Sequence, residues 1–305
     1  ESIAQLVHFN NTTFRLKDRR GRQYVLRINR PLFHDRKAIE SEIRWMSALR
    51  GDLGLSTPEI VSSAAGALTV KASAEGVPEA RDVVIFRWLH GRFRNRLSPA
   101  YIHKAGRTLA RIHKHGASWR RPRGFTRKTW DADMMLYGEP GTDGSGIRKI
   151  LNARDWDIFE QTADHFREAT DVLGSSSEVF GLIHGDFHHG NFLSQGNEIA
   201  VLDFDDCGFG TFAYDIAVLL SIIIRRPNFP ELRPALLDGY RSIRPFPEAH
   251  ERYFGCMVAM RWIMLAVWKA GVYDPPALHG DAEVFAKQRV KDIRERSLHK
   301  QDTTI

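Results

Sequence analysis

The sequence predicts a mixed α+β fold in which strands gather at the front of the chain and helices fill the rest. Three observations carry this expectation. Within the first ninety residues, segments at 5–9, 13–16 and 23–28 alternate or run apolar, as half-buried strands do. Beyond them, apolar residues recur at helical spacing through most of the chain. At 182–184, 191–194 and 199–202 three short apolar segments interrupt the helices, with Gly196 and Asn197 marking the turn between the last two.

Taken in order, residues 18–21 supply a hairpin turn between the second and third strands. A helix is expected over 36–49, with Ile39, Ile43, Met46 and Leu49 on one face, and segments 68–71 and 82–86 complete a small sheet. At 86–91, FRWLHG, the strand ends and a glycine releases the chain. Ser98 then caps a helix with Pro99 at its first position; it runs through His115 with Ile102, Ala105, Leu109 and Ile112 inward. Residues 120–146 are polar and read as a long loop, a kind of insertion more often functional than inert. Helix resumes over 155–173, and an apolar helix over 216–224 follows Tyr214 and Asp215. From Glu231 the chain reads as helical, and Phe254, Met257, Arg261, Met264 and Trp268 form a stripe. Arg261 is its exception, because an apolar face seldom carries a cation unless the cation snorkels or meets an anion.

Composition narrows the function classes. The 305 residues are 43% hydrophobic, which suits a globular chain and no fibrous or disordered class. The net charge of +7 is dispersed in small groups such as Arg92, Arg94 and Arg96 or Arg225 and Arg226, so no specific nucleic-acid partner is expected. The longest apolar run, 216–224, falls short of a bilayer span, and no membrane partner is expected either. Two cysteines, Cys207 and Cys256, make neither a disulfide framework nor a metal quartet, and the default expectation is the reducing cytoplasm.

The richest stretch reads LIHGDFHHGNFL and then AVLDFDD, over 182–206. It places Asp186, Asn191 and Asp203 on loops that leave short strands. An Asp five residues before an Asn can hold a substrate hydroxyl while the Asn reaches a metal ion, and Asp203 would add a second ligand. A site so sparse in protein ligands suits Mg2+ arriving with a nucleotide. A hydrolytic metal site built on His184, Asp186, His188 and His189 is the competing reading, but it lacks further ligands in an acid-rich motif downstream.

His184-Gly185-Asp186, then Asn191, then Asp203-Phe204-Asp205 resembles the catalytic loop and metal segment of the aminoglycoside phosphotransferase family, which includes choline kinases and type II homoserine kinases. The resemblance implies a bilobal protein-kinase-like fold, with a nucleotide-binding lobe at 1–89 and a catalytic and substrate-binding lobe at 90–305. It implies ATP as co-substrate, Asp186 as the group that orients the hydroxyl and accepts its proton, and Asn191 and Asp203 as magnesium ligands. The turn at Asn10, Asn11 and Thr12 would cover the phosphates. Arg27 stands where these kinases place a Lys, with Glu42 as its partner; a guanidinium keeps its charge and binds in two-pronged fashion where Lys is a point charge. Phe86, Trp88 and Leu89 would line the adenine site, and Asp215 would brace the catalytic loop or simply cap its helix.

For the acceptor, several chemistries stay open. A polycationic aminoglycoside would want carboxylates, of which Asp205, Asp206, Asp238, Asp274, Asp281 and Glu283 are available. A choline-like amino alcohol would want aromatic faces, such as Trp262, Trp268 and Tyr273. A zwitterion such as homoserine would want one cation, for which Arg261 is the candidate, and His188 stands in the substrate's path. The style of the chain favours a small metabolite alcohol over an antibiotic. A stress-type protein kinase and a nucleotide-binding pseudokinase are the other classes.

Overall fold

The computed structural model describes residues 1–8, 11–31, 33–138, 145–271, 281–296, 298 and 305. Asn10, Tyr273 and Asp274 therefore lie outside the described residues. The chain divides into two units, and neither is continuous in sequence, unlike a division at residues 89 and 90. The first comprises Glu1–Arg94, Arg120–Arg127 and Gly190–Asp205; the second comprises Asn95–Trp119, Lys128–His189 and Asp206–Ile305.

In the first unit, β1 (Ser2–His8), β2 (Thr12–Lys17), β3 (Gln23–Ile28), β4 (Val70–Ala72) and β5 (Arg81–Arg87) form a five-stranded sheet in the order β1-β2-β3-β5-β4. Every pairing is antiparallel. The β2–β3 turn is held by the Asp18 carboxylate, which accepts from the amides of Arg20 and Arg22 at 2.9 Å each. Helix α1 (Arg36–Leu53) starts at Asp35, whose side chain accepts from the Ala38 amide, and ends on Gly54 in the left-handed conformation at φ 63°. It buries Ile39, Ile43, Trp45, Met46 and Leu49. The hairpin of β7 (Phe192–Gln195) and β8 (Glu198–Val201) belongs to this unit. Val201 donates to the Ser56 carbonyl at 2.9 Å, and Phe204 meets Trp45 edge-on at 5.9 Å, so the segment after β8 is anchored on α1.

The second unit is mostly helical: α2 (Pro99–Ser118), α3 (Ala132–Tyr137), α4 (Ser145–Ile150), α5 (Ala153–Leu173), α6 (Phe212–Ile223), α7 (Phe229–Arg241), α8 (Phe254–Gly271) and α9 (Ala282–Glu295). It also holds β6 (Phe180–Ile183) paired antiparallel with β9 (Gly208–Thr211). Helices α2 and α7 touch through two glycines. A Cβ on Gly106 would lie 2.1 Å from the Leu236 carbonyl oxygen, and one on Gly239 would lie 2.1 Å from that of His103. The segment Glu248–Gly271, a 3-10 turn running into α8, is long and apolar enough to cross a membrane by length and composition, but 67% of its apolar window is buried within the protein. Burial of that kind marks a core helix.

Three sequence expectations change. The loop at 120–146 contains α3, started by the Asp131 side chain accepting from the Met134 amide at 2.8 Å. Strand β9 has no counterpart in the sequence reading, because Gly208 and Gly210 dilute its apolar pattern. The cap of α6 is Thr211 rather than Asp215, which lies in the helix's first turn. As a result β6 pairs with β9 and β7 with β8, so the strand before Asp186 and the strand after Asn191 belong to different sheets.

Candidate functional site

The first unit assembles a set of buried charges beneath its sheet strands. Arg27 stands on β3 opposite Val84 of β5, and its side chain points to α1, where Glu42 receives it. Nη1 and Nη2 donate to Glu42 Oε1 and Oε2 at 2.8 Å each, a two-pronged pair in which the carboxylate is 1% exposed. The guanidinium also lies 5.5 Å from the Phe86 ring and 3.8 Å from Asp205. Burial opposes the Arg27 charge, but Glu42, Asp205 and Asp203 outweigh it and raise its pKa above the ordinary range. Asn11 donates to Asp205 Oδ2 at 3.0 Å and accepts from the Arg30 amide at 3.1 Å, so the start of β2 is tied to the DFD segment. Thr12 pairs its hydroxyl with His8 at 2.7 Å.

The β7–β8 register brings Asn191 and Asp203 together. Phe192 pairs with Val201, and the Leu202 amide donates to the Asn191 carbonyl at 2.9 Å, so both residues stand at the open end of the hairpin. Asp203 is the one non-glycine among the described residues with positive φ, at 58°. Asp tolerates this region better than most side chains, and strained backbone of this sort collects at functional positions. An amide oxygen and a carboxylate are hard donors that fit Mg2+, which takes one or two carboxylates and fills its octahedron with phosphate and water. No cluster of three or more His, Cys, Asp or Glu able to hold a metal by itself occurs among the described residues.

At 86–89, where the sequence reading expects main-chain contacts to adenine, two backbone donors already have partners. The amides of Arg87 and Trp88 donate to the Glu59 and Gln23 carbonyls at 2.8 and 3.0 Å, so both are spent within the unit. Phe86 is buried, and Trp88 and Leu89 are half-buried.

The second unit holds the HGD loop, His184-Gly185-Asp186. Gly185 has φ 78°, and a Cβ there would lie 2.4 Å from the Asp206 carbonyl oxygen, which explains why this position admits only glycine. Below the loop, Asp215 accepts from the amides of His184 and Gly185 at 2.8 and 3.0 Å. It also accepts from His113 Nε2 at 3.0 Å, while Tyr240 donates to His113 Nδ1 at 2.8 Å. A neutral imidazole satisfies both contacts. His184 is fully buried and receives the Asp186 amide on Nδ1 at 3.3 Å, an architectural position. Asp186 itself meets Arg261 Nη2 at Oδ1 and His188 Nε2, 3.2 Å away, at Oδ2. Burial pushes the Asp186 carboxyl up, yet Arg261 and then His188 outweigh it and hold it well below the ordinary carboxylate range.

Several acceptor candidates are engaged elsewhere. Asp205 belongs to the first unit with Asn11 and Arg27, and its carbonyl oxygen accepts from His34 Nε2 at 2.9 Å and from Arg127. Asp206 accepts from Lys128 Nζ at 2.7 Å, and its carbonyl oxygen accepts from Trp130 at 3.0 Å. Trp262 is buried, donates to the Ser221 carbonyl, and is flanked by Arg225 and Arg289 at 5.4 and 5.3 Å from its ring. Its faces are covered by the protein's own cations, so it is no aromatic cage for a foreign one. Arg261 is committed to the loop and not open to a substrate carboxylate. Sequence reasoning missed His34, His113, Arg127, Lys128 and Trp130, none of which carries a local pattern that marks it.

An antiparallel sheet with one helix carrying a buried Arg–Glu pair, and a helical unit presenting an HGD loop, are the parts the resemblance to a phosphotransferase family implies. Residues 3–253 match the model of the phosphotransferase enzyme family, and the chain belongs to that family. It is 30% identical over 130 residues to the amicoumacin kinase of Bacillus subtilis (strain 168), an alignment covering 42% of this chain and 36% of that kinase, so it spans little more than a third of that relative's length. It is 25% identical over 257 residues to the homoserine kinase of Brucella melitensis biotype 2 (strain ATCC 23457), covering 81% of this chain and 72% of the other. Among solved structures, a microcompartment-associated aminopropanol kinase superposes with a TM-score of 0.83 at 28% identity, covering 99% of this chain and 94% of that one. A choline/ethanolamine kinase family protein from Mesorhizobium loti shares the fold, with a TM-score of 0.66 at 17% identity over 99% of this chain and 91% of that one. The protein-kinase-like α+β fold expected from the sequence is the fold of these enzymes.

Proposed function

We propose that this chain transfers the γ-phosphoryl group of ATP to a hydroxyl of a small metabolite, an amino alcohol or hydroxy amino acid, in the cytoplasm. The observation that carries the reading is the β7–β8 register, which sets Asn191 and Asp203 at one hairpin end. Those two would hold Mg2+, which when bound offsets the charge of the nucleotide phosphates. Arg27, fixed by Glu42, adds a positive charge on the leaving side. Asn11 anchors the turn at β2, and Thr12 with that turn faces the phosphates. Phe86 and Trp88 line the adenine site, and with the amides of Arg87 and Trp88 spent, hydrogen bonding to its edge falls to Leu89.

On the acceptor side Asp186 orients the hydroxyl. The acceptor oxygen bonds to the γ-phosphorus as the bond to the β–γ bridging oxygen breaks, that electron pair leaves with ADP, and the hydroxyl proton passes late to Asp186. Late transfer demands reach and orientation rather than a raised pKa. A small acceptor is favoured over a polycation because four of the candidate carboxylates already have partners: Asp205 with Asn11, Asp206 with Lys128, Asp281 capping α9, Glu283 with Lys287 at 2.5 Å. The relatives named for aminopropanol and homoserine support the same class. The similarity to an amicoumacin kinase favours phosphorylation of an acceptor of that kind as the second reading.

The test is an ATP-consumption screen over amino alcohols, hydroxy amino acids, sugars, aminoglycosides and a generic protein substrate, with and without Mg2+. Turnover with an amino alcohol or hydroxy amino acid, lost without the metal, is expected. Turnover confined to aminoglycosides or to protein, or nucleotide binding with no turnover on any acceptor, contradicts the proposal.

A further inference from the structure

The centre of α8 carries a guanidinium that the reaction scheme above leaves unassigned. Arg261 is 3% exposed and is flanked along the helix by buried Met257, Val258, Met260, Trp262 and Ile263. A cation so placed is kept only where an anion receives it. Both of its terminal nitrogens reach the loop: Nη2 donates to Asp186 Oδ1, and Nη1 lies 3.4 Å from the Gly185 carbonyl.

We infer that Arg261 is the positioning residue of Asp186: it immobilises Oδ1 and the loop backbone, and leaves Oδ2 as the oxygen that receives the acceptor hydroxyl. The inference rests on Asp186 being the base. Other parts of the loop are held through Asp215 below the His184 and Gly185 amides and through His184 Nδ1 on the Asp186 amide. Neither of these restraints acts on the carboxylate. On its other oxygen the carboxylate meets His188 Nε2 at 3.2 Å, and that histidine's side chain is 25% exposed. The opposing ends of the contact therefore differ: a buried arginine on a helix fixes one oxygen, and an accessible histidine on the loop covers the other.

The charged and titratable groups facing this pair are His184 and His188 on the loop, Tyr214 on α6, and Asp206. Burial works against the Arg261 charge, while Asp186, Tyr214 and Asp206 raise its pKa, so it stays a cation throughout the working range. Removing it lets the Asp186 pKa rise, because burial is then opposed by the histidines alone.

The experiment compares wild type with Arg261→Met, Arg261→Lys, Arg261→Ala and Asp186→Asn in the same acceptor assay, with thermal unfolding as a check on folding. Arg261→Met is expected to lower kcat about 100-fold with the KM values for ATP and acceptor little changed, as misplacing a reacting group does. Its acid limb of kcat should move to higher pH. Arg261→Lys should recover part of the rate, and added guanidinium should partly restore Arg261→Ala, a result that a merely structural loss would not give. A raised acceptor KM at unchanged kcat, or an unmoved acid limb with no guanidinium rescue, overturns the inference. The base assignment fails separately: it is overturned if Asp186→Asn keeps wild-type turnover, whereas turnover lost in Asp186→Asn but kept in Arg261→Met overturns only the role of Arg261.

Discussion

Arg27 and Glu42, fifteen positions apart on β3 and α1, meet through two parallel hydrogen bonds of 2.8 Å inside the first unit. Where related kinases are expected to use a Lys, this chain spends both guanidinium prongs on the carboxylate. Arg27→Ala would strand the buried Glu42 charge and should cost about 3–5 kcal/mol of stability. Arg27→Lys keeps the charge but gives up one of the two hydrogen bonds to Glu42, which should cost about 1.5–3 kcal/mol of stability, while nucleotide affinity, which that bond does not touch, should change little. Chemical denaturation and nucleotide titration check the two effects separately.

Asp203 holds a left-handed backbone at φ 58°. Asp203→Gly relaxes that conformation while freeing the unfolded chain, and the two effects should leave stability within about 1 kcal/mol of wild type. Loss of the carboxylate should nevertheless lower kcat by about 1,000-fold or more, the scale of a lost metal contact. A stable variant with little activity is the expected result; one that unfolds early yet turns over would refute the metal role.

His113 gives the fold a pH dependence. Burial lowers its pKa, and Asp215 only partly offsets this, so the folded protein takes up the proton at lower pH than the unfolded chain. Stability is therefore fully present above the unfolded value of about 6.5 and declines as pH falls below it. Denaturation between pH 7.5 and 5 should show that loss, and His113→Asn should reduce the slope. Asp215→Ala, which strips the loop amides and His113 of their acceptor, should be far more damaging than His113→Asn.

Gly106 marks the closest approach of α2 and α7. Gly106→Ala would set a methyl 2.1 Å from the Leu236 carbonyl oxygen, and backbone must move to admit it. A loss of about 1–3 kcal/mol is expected, with kcat per folded molecule unchanged. Thermal unfolding alongside initial rates checks both halves.

What the sequence reveals of this molecule follows the range of the forces involved. Strand β3 emerges at 23–28 as expected, and the Ser98–Pro99 start of α2 is visible, because turn, cap and periodicity act over a few residues. The Arg27–Glu42 pair was legible through family resemblance and helix phase. The contact of Asp205 with Asn11 is not legible in the sequence, because the two lie 194 positions apart and nothing in either neighbourhood announces it. Arg261 was recognised as anomalous on an apolar stripe, but the identity of its anion, 75 positions earlier, came only with the fold. Trp262 had the right composition for a cation cage; the arginines that cover it arrive from α9 and from just beyond α6. The short α3 was hidden in a polar segment although its Asp131 cap was in plain view.

The fate of the γ-phosphorus tests the central claim most directly. Phosphorus NMR of wild type with Mg2+, ATP and an amino alcohol or hydroxy amino acid should show a phosphate monoester of the acceptor growing in step with ADP, and Asp186→Asn should yield neither. Inorganic phosphate as the sole product, or ester formation that persists in Asp186→Asn, would contradict it.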